Sequence, residues 1–230
     1  MANVAVKKIP CPKCSENTDA KLYMSINATN EPTLREDMLD EKLFKFRCTA
    51  CGHEARLTYP VLYNDMKNRF MIYLIPEIDR FQLEDVELEQ KYEKLHSVRK
   101  RLAPDFNSFK EKVFIFESGL DDMAVEITKL VISEMVAKKY GIPHVEEGYL
   151  SMYDREKNTI GFTFFVGKRK EPYVQSARLE IYGKSVTIVS EMAIKDRRLA
   201  GFININREWA QNVLYRYKRM KQLDRSAEES

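Results

Sequence analysis

A chain of 230 residues with 44% hydrophobic and 11% aromatic content can bury a sizeable core, as one large domain or two small ones. With 32% charged residues, 8 Gly and 8 Pro, it is neither low-complexity nor largely disordered. A formal net charge of +3 makes no compositional case for nucleic acid, and the longest apolar run, residues 70–75, is too short to cross a bilayer.

The N-terminal Met-Ala-Asn-Val-Ala-Val-Lys-Lys lacks the apolar core of a signal peptide, so the expectation is a cytoplasmic protein with no membrane partner. In that reducing setting cysteines bind metal rather than pair, and the Asn27-Ala28-Thr29 glycosylation sequon is a coincidence. Cys11-Pro-Lys-Cys14 and Cys48-Thr-Ala-Cys51 are two C-x2-C hooks with residues 15–47 between them. Each hook turns tightly enough to present two sulfurs to one ion. Gly52 follows the second hook and permits positive φ; Ser15 stands in its place after the first, which predicts a less regular knuckle.

Four thiolates without a fifth donor leave no open position, which points to one structural Zn2+ per chain. A rubredoxin-like iron site and a thiol redox pair are the alternatives. Lys13, Arg47 and Arg56 lie close in sequence, offset the double negative charge of the site, and are the first place to look for a partner. His53 follows a complete ligand set and reads as an exposed imidazole or one behind the ligands.

Between the hooks, Leu22, Met24, Ile26 and Ala28 alternate with polar residues as in a half-buried strand. A short helix follows, from Pro32 with Thr33 and Glu36 spaced as a capping box, and closes at Asp40 before a strand over residues 43–47. Residues 54–59 alternate as another strand, and 70–75 suit a central strand. Residues 80–101 turn from acidic (Glu84, Asp85, Glu87, Glu89) to basic (Lys91, Lys94, Arg99, Lys100, Arg101) and read as a solvated connection.

Ser108 and Glu111 form a second capping-box pair ahead of the apolar residues 113–116. A helix then spans about residues 120–139 with the stripe Leu120, Met123, Ala124, Ile127, Val131 and Met135. Asp121 and Asp122 point in different directions there and serve as helix-start acids rather than an acid–base pair. Beyond Glu146 hairpins are expected: 149–153, a turn over 154–158, 159–166, then 174–182, Gly183-Lys184 and 185–190. The closing helix has the stripe Trp209, Ala210, Val213, Leu214, Tyr217 and Met220; Arg207, Arg216, Lys218, Arg219 and Lys221 fall largely elsewhere, as a solvated face. That face is the one local hint of phosphate contact. His53, His96 and His144 are isolated from one another, and no nucleophile–base pair or phosphate-binding loop is evident.

The chain resembles the CpXC family, named for paired Cys-Pro-x-Cys motifs in bacterial and archaeal proteins. The resemblance is carried by Cys11-Pro-Lys-Cys14, Ser25-Ile-Asn27, Leu34-Arg-Glu36, Leu43-Phe-Lys-Phe-Arg-Cys48, Cys51-Gly-His-Glu54, Tyr59-Pro-Val-Leu-Tyr63, Asp65-Met66 and Phe70-Met-Ile-Tyr-Leu74. It extends over residues 6–135 when Gly119-Leu-Asp-Asp122 is included. It implies a cysteine-bound metal and carries no biochemical activity. The second hook, Cys48-Thr-Ala-Cys51, departs from the family name by lacking proline; proline supplies no ligand, so binding survives with a less rigid knuckle.

The expected architecture is α+β: a zinc-ribbon-like antiparallel sheet with an inserted helix, a helical middle, and a C-terminal β-rich segment closed by a helix. The expected divisions are residues 1–79, 80–141 and 142–230. The expected role is a non-enzymatic zinc-containing binding or scaffold protein with an unidentified protein partner. A nucleic-acid-binding zinc ribbon using residues such as Arg216 and Arg219 is the second reading, and a thiol redox protein or enzyme the third.

Overall fold

The computed structural model describes residues 2–76, 95, 97–167, 169–197 and 201–228. The fold is α+β. It divides into two compact units, residues 1–110 with 200–203, and residues 111–199 with 204–230.

The first unit contains strands β1 (Asn3–Pro10) and β2 (Asn17–Asn27), helix α1 (Pro32–Leu39), a 3-10 turn (Lys42–Phe44), and strands β3 (Lys45–Arg47), β4 (Glu54–Arg56), β5 (Val61–Asp65), β6 (Phe70–Leu74) and β7 (Arg99–Ala103). Five of them form a sheet in the order β1-β2-β5-β6-β7, and β3 pairs with β4 in a two-stranded ribbon. The large sheet is mixed rather than antiparallel. β1–β2 and β5–β6 are antiparallel, but β2–β5 and β6–β7 are parallel, because long segments intervene between the paired strands.

Strand β6 is central and its residues are buried except for a half-buried Tyr73, as its unbroken apolar run requires. Tyr63 packs between Phe70 and Phe109, with ring centroids 6.0 and 5.3 Å away, and Phe44 meets Phe106 edge-on at 4.4 Å. Helix α1 starts with Pro32 in its first turn, but Glu31 is the N-cap residue and no side chain caps it, so the Thr33–Glu36 box does not form. Residues 42–44 wind as a 3-10 turn ahead of a shorter strand than expected.

Of the charged stretch 80–101, residues 80–94 and 96, His96 among them, lie outside the described residues. Its basic end is not solvated. Lys100 and Arg101 are 3% and 7% exposed in β7, which pairs with β6 on one side. On the other, the Ile203 N–H donates to the Lys100 carbonyl and the Leu102 N–H to the Ile203 carbonyl.

Helix α2 (Phe106–Glu117) gives residues 106–110 to the first unit and the rest to the second. Its cap is Asp105, which accepts the Ser108 N–H and hydroxyl at 2.8 Å each; Ser108 and Glu111 make no capping box.

The second unit adds α3 (Asp122–Tyr140), β8 (Glu147–Asp154), β9 (Thr159–Val166), β10 (Glu171–Arg178), α4 (Leu179–Met192), α5 (Ile194–Arg197) and α6 (Arg207–Glu228). The three strands form an antiparallel sheet in the order β10-β9-β8. Ile160, Phe162 and Phe164 of β9 are buried, and the Phe164 ring occupies the space a side chain at residue 148 would need, hence Gly148. Asp121 caps α3 by accepting the Met123 N–H, and Gly141 ends it at φ +62°. Of the expected stripe, Leu120, Met123, Ala124 and Ile127 are buried, whereas Met135 is 58% exposed.

The segment after β10 is a helix where a further hairpin was expected. Ser185 and Val189 are buried, and the Thr128 hydroxyl of α3 donates to Ser185 Oγ at 2.9 Å. Packing against α3 overrides the strand preference of the β-branched residues 186–189. The closing helix α6 buries Ala210, Val213 and Leu214, with Tyr217 and Met220 half-buried.

Candidate metal centre

Each hook sits at the turn of an antiparallel hairpin, the first between β1 and β2, the second between β3 and β4. The two turns share one hydrogen-bond pattern. The Cys11 N–H donates to the Glu16 carbonyl and the Ser15 N–H to the Cys11 carbonyl, both at 2.9 Å. At equivalent positions the Cys48 N–H donates to the His53 carbonyl at 2.9 Å and the Gly52 N–H to the Cys48 carbonyl at 3.0 Å. Ser15 has φ +61° and Gly52 φ +68°, so the first knuckle is as regular as the second, with Ser15 accepting a left-handed backbone.

This geometry brings the four sulfurs together. Cys11 Sγ lies 3.8 Å from Cys51 Sγ and Cys14 Sγ 3.7 Å from Cys48 Sγ, and all four fall within 4.8 Å of one another. All four are free cysteines. Metal–sulfur bonds of about 2.3 Å place tetrahedral sulfurs about 3.8 Å apart, so the donor set fits a thiolate-bound tetrahedral ion. Cys11, Cys14, Cys48 and Cys51 would hold it, and a bound ion would join the two hairpins. Cys11 and Cys48 are buried, Cys14 and Cys51 exposed.

The protons are unequally held. The Cys51 backbone N–H, aided by the Thr18 hydroxyl and the Ala50 N–H, brings the Cys48 thiol down to about 6. At Cys14 the Glu16 N–H pulls the same way, but the Cys51, Cys48 and Cys11 sulfurs and desolvation outweigh it, pushing the thiol up to about 12. The first thiolate forms readily and further negative charge is resisted. A divalent cation relieves that repulsion.

Thr18 is the contributor that spacing did not reveal. It is 4% exposed, and its hydroxyl donates to Cys48 Sγ at 3.7 Å. Its Oγ1 also accepts the Thr49 N–H at 3.3 Å and contacts Thr49 Oγ1 at 3.4 Å. The bond from Thr49 explains the missing proline of the second hook, since a proline at that position would have no N–H to give.

The remaining candidate residues are scattered. Lys13 and Arg47 are exposed, and the Lys13 N–H donates to Cys11 Sγ at 3.4 Å. Arg56 pairs with Glu41 at 2.7 Å and its guanidinium stands 4.1 Å from the Phe106 ring centroid. Arg216 and Arg219 are exposed on α6. His53 takes no place among the sulfurs and is half-buried. His144 lines an open groove of about 840 Å³ with Glu134, Lys138, Glu146 and Arg207.

Asp121 and Asp122 are helix-start acids as expected, Asp121 as the N-cap and Asp122 in the first turn. Asp122 is buried, at 2% exposure, and lies 3.9 Å from Lys112, while Lys129 bonds Glu111 and Glu126, each at 2.9 Å.

Two hairpin turns presenting four sulfurs at tetrahedral spacing define a protein with a cysteine cluster of metal-binding geometry. A family model described as "CpXC protein" matches residues 9–129, just over half of the 230 residues, and the chain belongs to the CpXC family. No curated protein and no solved structure matches it.

Proposed function

We propose that Cys11, Cys14, Cys48 and Cys51 bind one Zn2+ that staples the two hairpins, in a zinc-ribbon-like arrangement, within a non-enzymatic binding or scaffold protein. The observation that carries the metal reading is the sulfur spacing of 3.7 and 3.8 Å, the edge of a tetrahedron of thiolates. A closed four-thiolate set leaves no position for water or substrate, which supports a structural rather than a catalytic ion. The reading requires a reducing compartment, consistent with a cytoplasmic protein. A protein partner is proposed to engage the exposed side of the hooks, where Lys13 and Arg47 are free to reach it; Arg56 is occupied by Glu41 and Phe106.

Native mass spectrometry is expected to find one zinc per chain, and Cys48→Ser to lose the ion and unfold both hairpins. A ferric site of the same geometry would announce itself by visible absorption. Wild-type protein that carries no metal and melts unchanged after addition of zinc or chelator would end the proposal.

A further inference from the structure

Helix α6 carries a surface that neither the metal nor the core explains. Beyond Leu214 no residue through Asp224 is buried. At 100° per residue, Gln211, Asn212, Tyr215, Arg216, Lys218, Arg219, Gln222 and Leu223 occupy one continuous arc, opposite Val213, Tyr217 and Met220. All eight are exposed, Tyr215 at 63% and Leu223 at 68%.

The arc holds three cations and no carboxylate between residues 211 and 223. Arg216, Lys218 and Arg219 pair with no carboxylate among the described residues; the Arg216 Nε bonds only the Asn212 carbonyl of its own helix. Lys221 differs: it lies on the opposite side and meets Glu191 at 3.6 Å. Glu208, exposed on the same side, lies one turn ahead of the arc; within residues 211–223 the three cations keep no carboxylate partner among the described residues.

We propose that this arc is a docking surface for single-stranded nucleic acid. Three uncompensated cations match a phosphate backbone, and the exposed Tyr215 ring, next to Arg219 on the arc, is a platform for an unstacked base. The amides of Gln211 and Asn212 offer donors and acceptors to sugars and base edges. A membrane surface would call for a continuous apolar stripe, and Tyr215 and Leu223 are separated by Arg219. A duplex would leave Tyr215 with no free base to stack on. The proposal lies outside the cysteine cluster and does not depend on what the cluster binds.

Fluorescence anisotropy of the full chain with a labelled uridine 15-mer, titrated in potassium chloride, tests it. Three phosphate contacts give a slope of log affinity against log salt of about −2 for a single strand. The triple variant Arg216→Gln, Lys218→Gln, Arg219→Gln is expected to abolish that slope. Tyr215→Ala is expected to weaken binding about tenfold with the slope kept.

A control removing three charges elsewhere, Lys7→Gln, Lys8→Gln, Lys21→Gln, should leave binding unchanged, and circular dichroism of every variant should match wild type. Absence of binding at low salt would overturn the proposal. So would equal loss in the control variant, or capture by phosphatidylserine vesicles in place of the strand.

Discussion

At Ser15 a residue with a side chain adopts the left-handed backbone that Gly52 supplies at the equivalent point. That conformation costs a non-glycine residue about 1–2 kcal/mol. Ser15→Gly is therefore expected to stabilise the first unit by about 1 kcal/mol, read as a shift of its denaturation midpoint.

Thr18 works in the opposite sense. Its hydroxyl ties β2 to the second knuckle through Cys48 and Thr49. Thr18→Val should cost about 0.5–1.5 kcal/mol, because its hydroxyl no longer bonds Cys48 and the Thr49 N–H, and should speed transfer of the ion to a competing chelator. If transfer rates are unchanged, Thr18 is only a strand residue. The clustering of the four cysteines was legible from spacing alone, because two C-x2-C hooks need each other to make a tetrahedron. Thr18 was not: hydrogen bonds between residues 30 and 31 apart leave no mark in sequence.

Among the elements, those with clean periodicity were readable: β2, β6 and α3 fall close to where their apolar residues repeat. The ones that escaped are settled by partners. β1 has no residue fully buried, so no alternation announces it, and it is held by pairing along β2. β7 looked solvated because Arg99, Lys100 and Arg101 are charged, yet strand β6 on one side and an isolated bridge to Ile203 on the other hold its backbone.

Helix α3 shows the same effect electrostatically. Glu126 lies buried beside Lys129, with Glu111 and Lys112 near it; burial raises its carboxyl above the ordinary 4.5, partly countered by Lys129. A carboxyl raised on folding contributes stability that is complete below 4.5 and is lost as pH rises through its folded value. Glu126→Gln is thus expected to flatten the decline in urea stability above about pH 4.5 while Glu111 keeps Lys129 paired. A wild-type stability that shows no decline in that range would contradict the assignment. Lys129→Met, which strands two buried carboxylates, should cost about 3–5 kcal/mol.

For the whole molecule, the α+β class was legible, but the path of the chain was not. Sequence proximity put the C-terminal residues together, whereas residues 200–203 belong to the first unit. Each unit encloses its own apolar core, so removal of the proposed ion is expected to perturb the first unit selectively. The only tryptophan, Trp209, lies in the second unit and donates its indole N–H to Asp196 at 3.0 Å. Chelation is expected to erase hydrogen-exchange protection in β1–β4 while Trp209 emission holds. Simultaneous loss of both signals would mean that the ion supports the entire chain.

The return of residues 201–203 also bears on how the protein is made. β7 can align with β6 early in synthesis, but the backbone groups of Lys100 and Leu102 wait for Ile203. That partner emerges from the ribosome roughly a hundred residues later, some 5–20 s at typical elongation rates. Until then the growing chain carries an open strand edge, so the two cysteine hairpins are complete well before the sheet beside them.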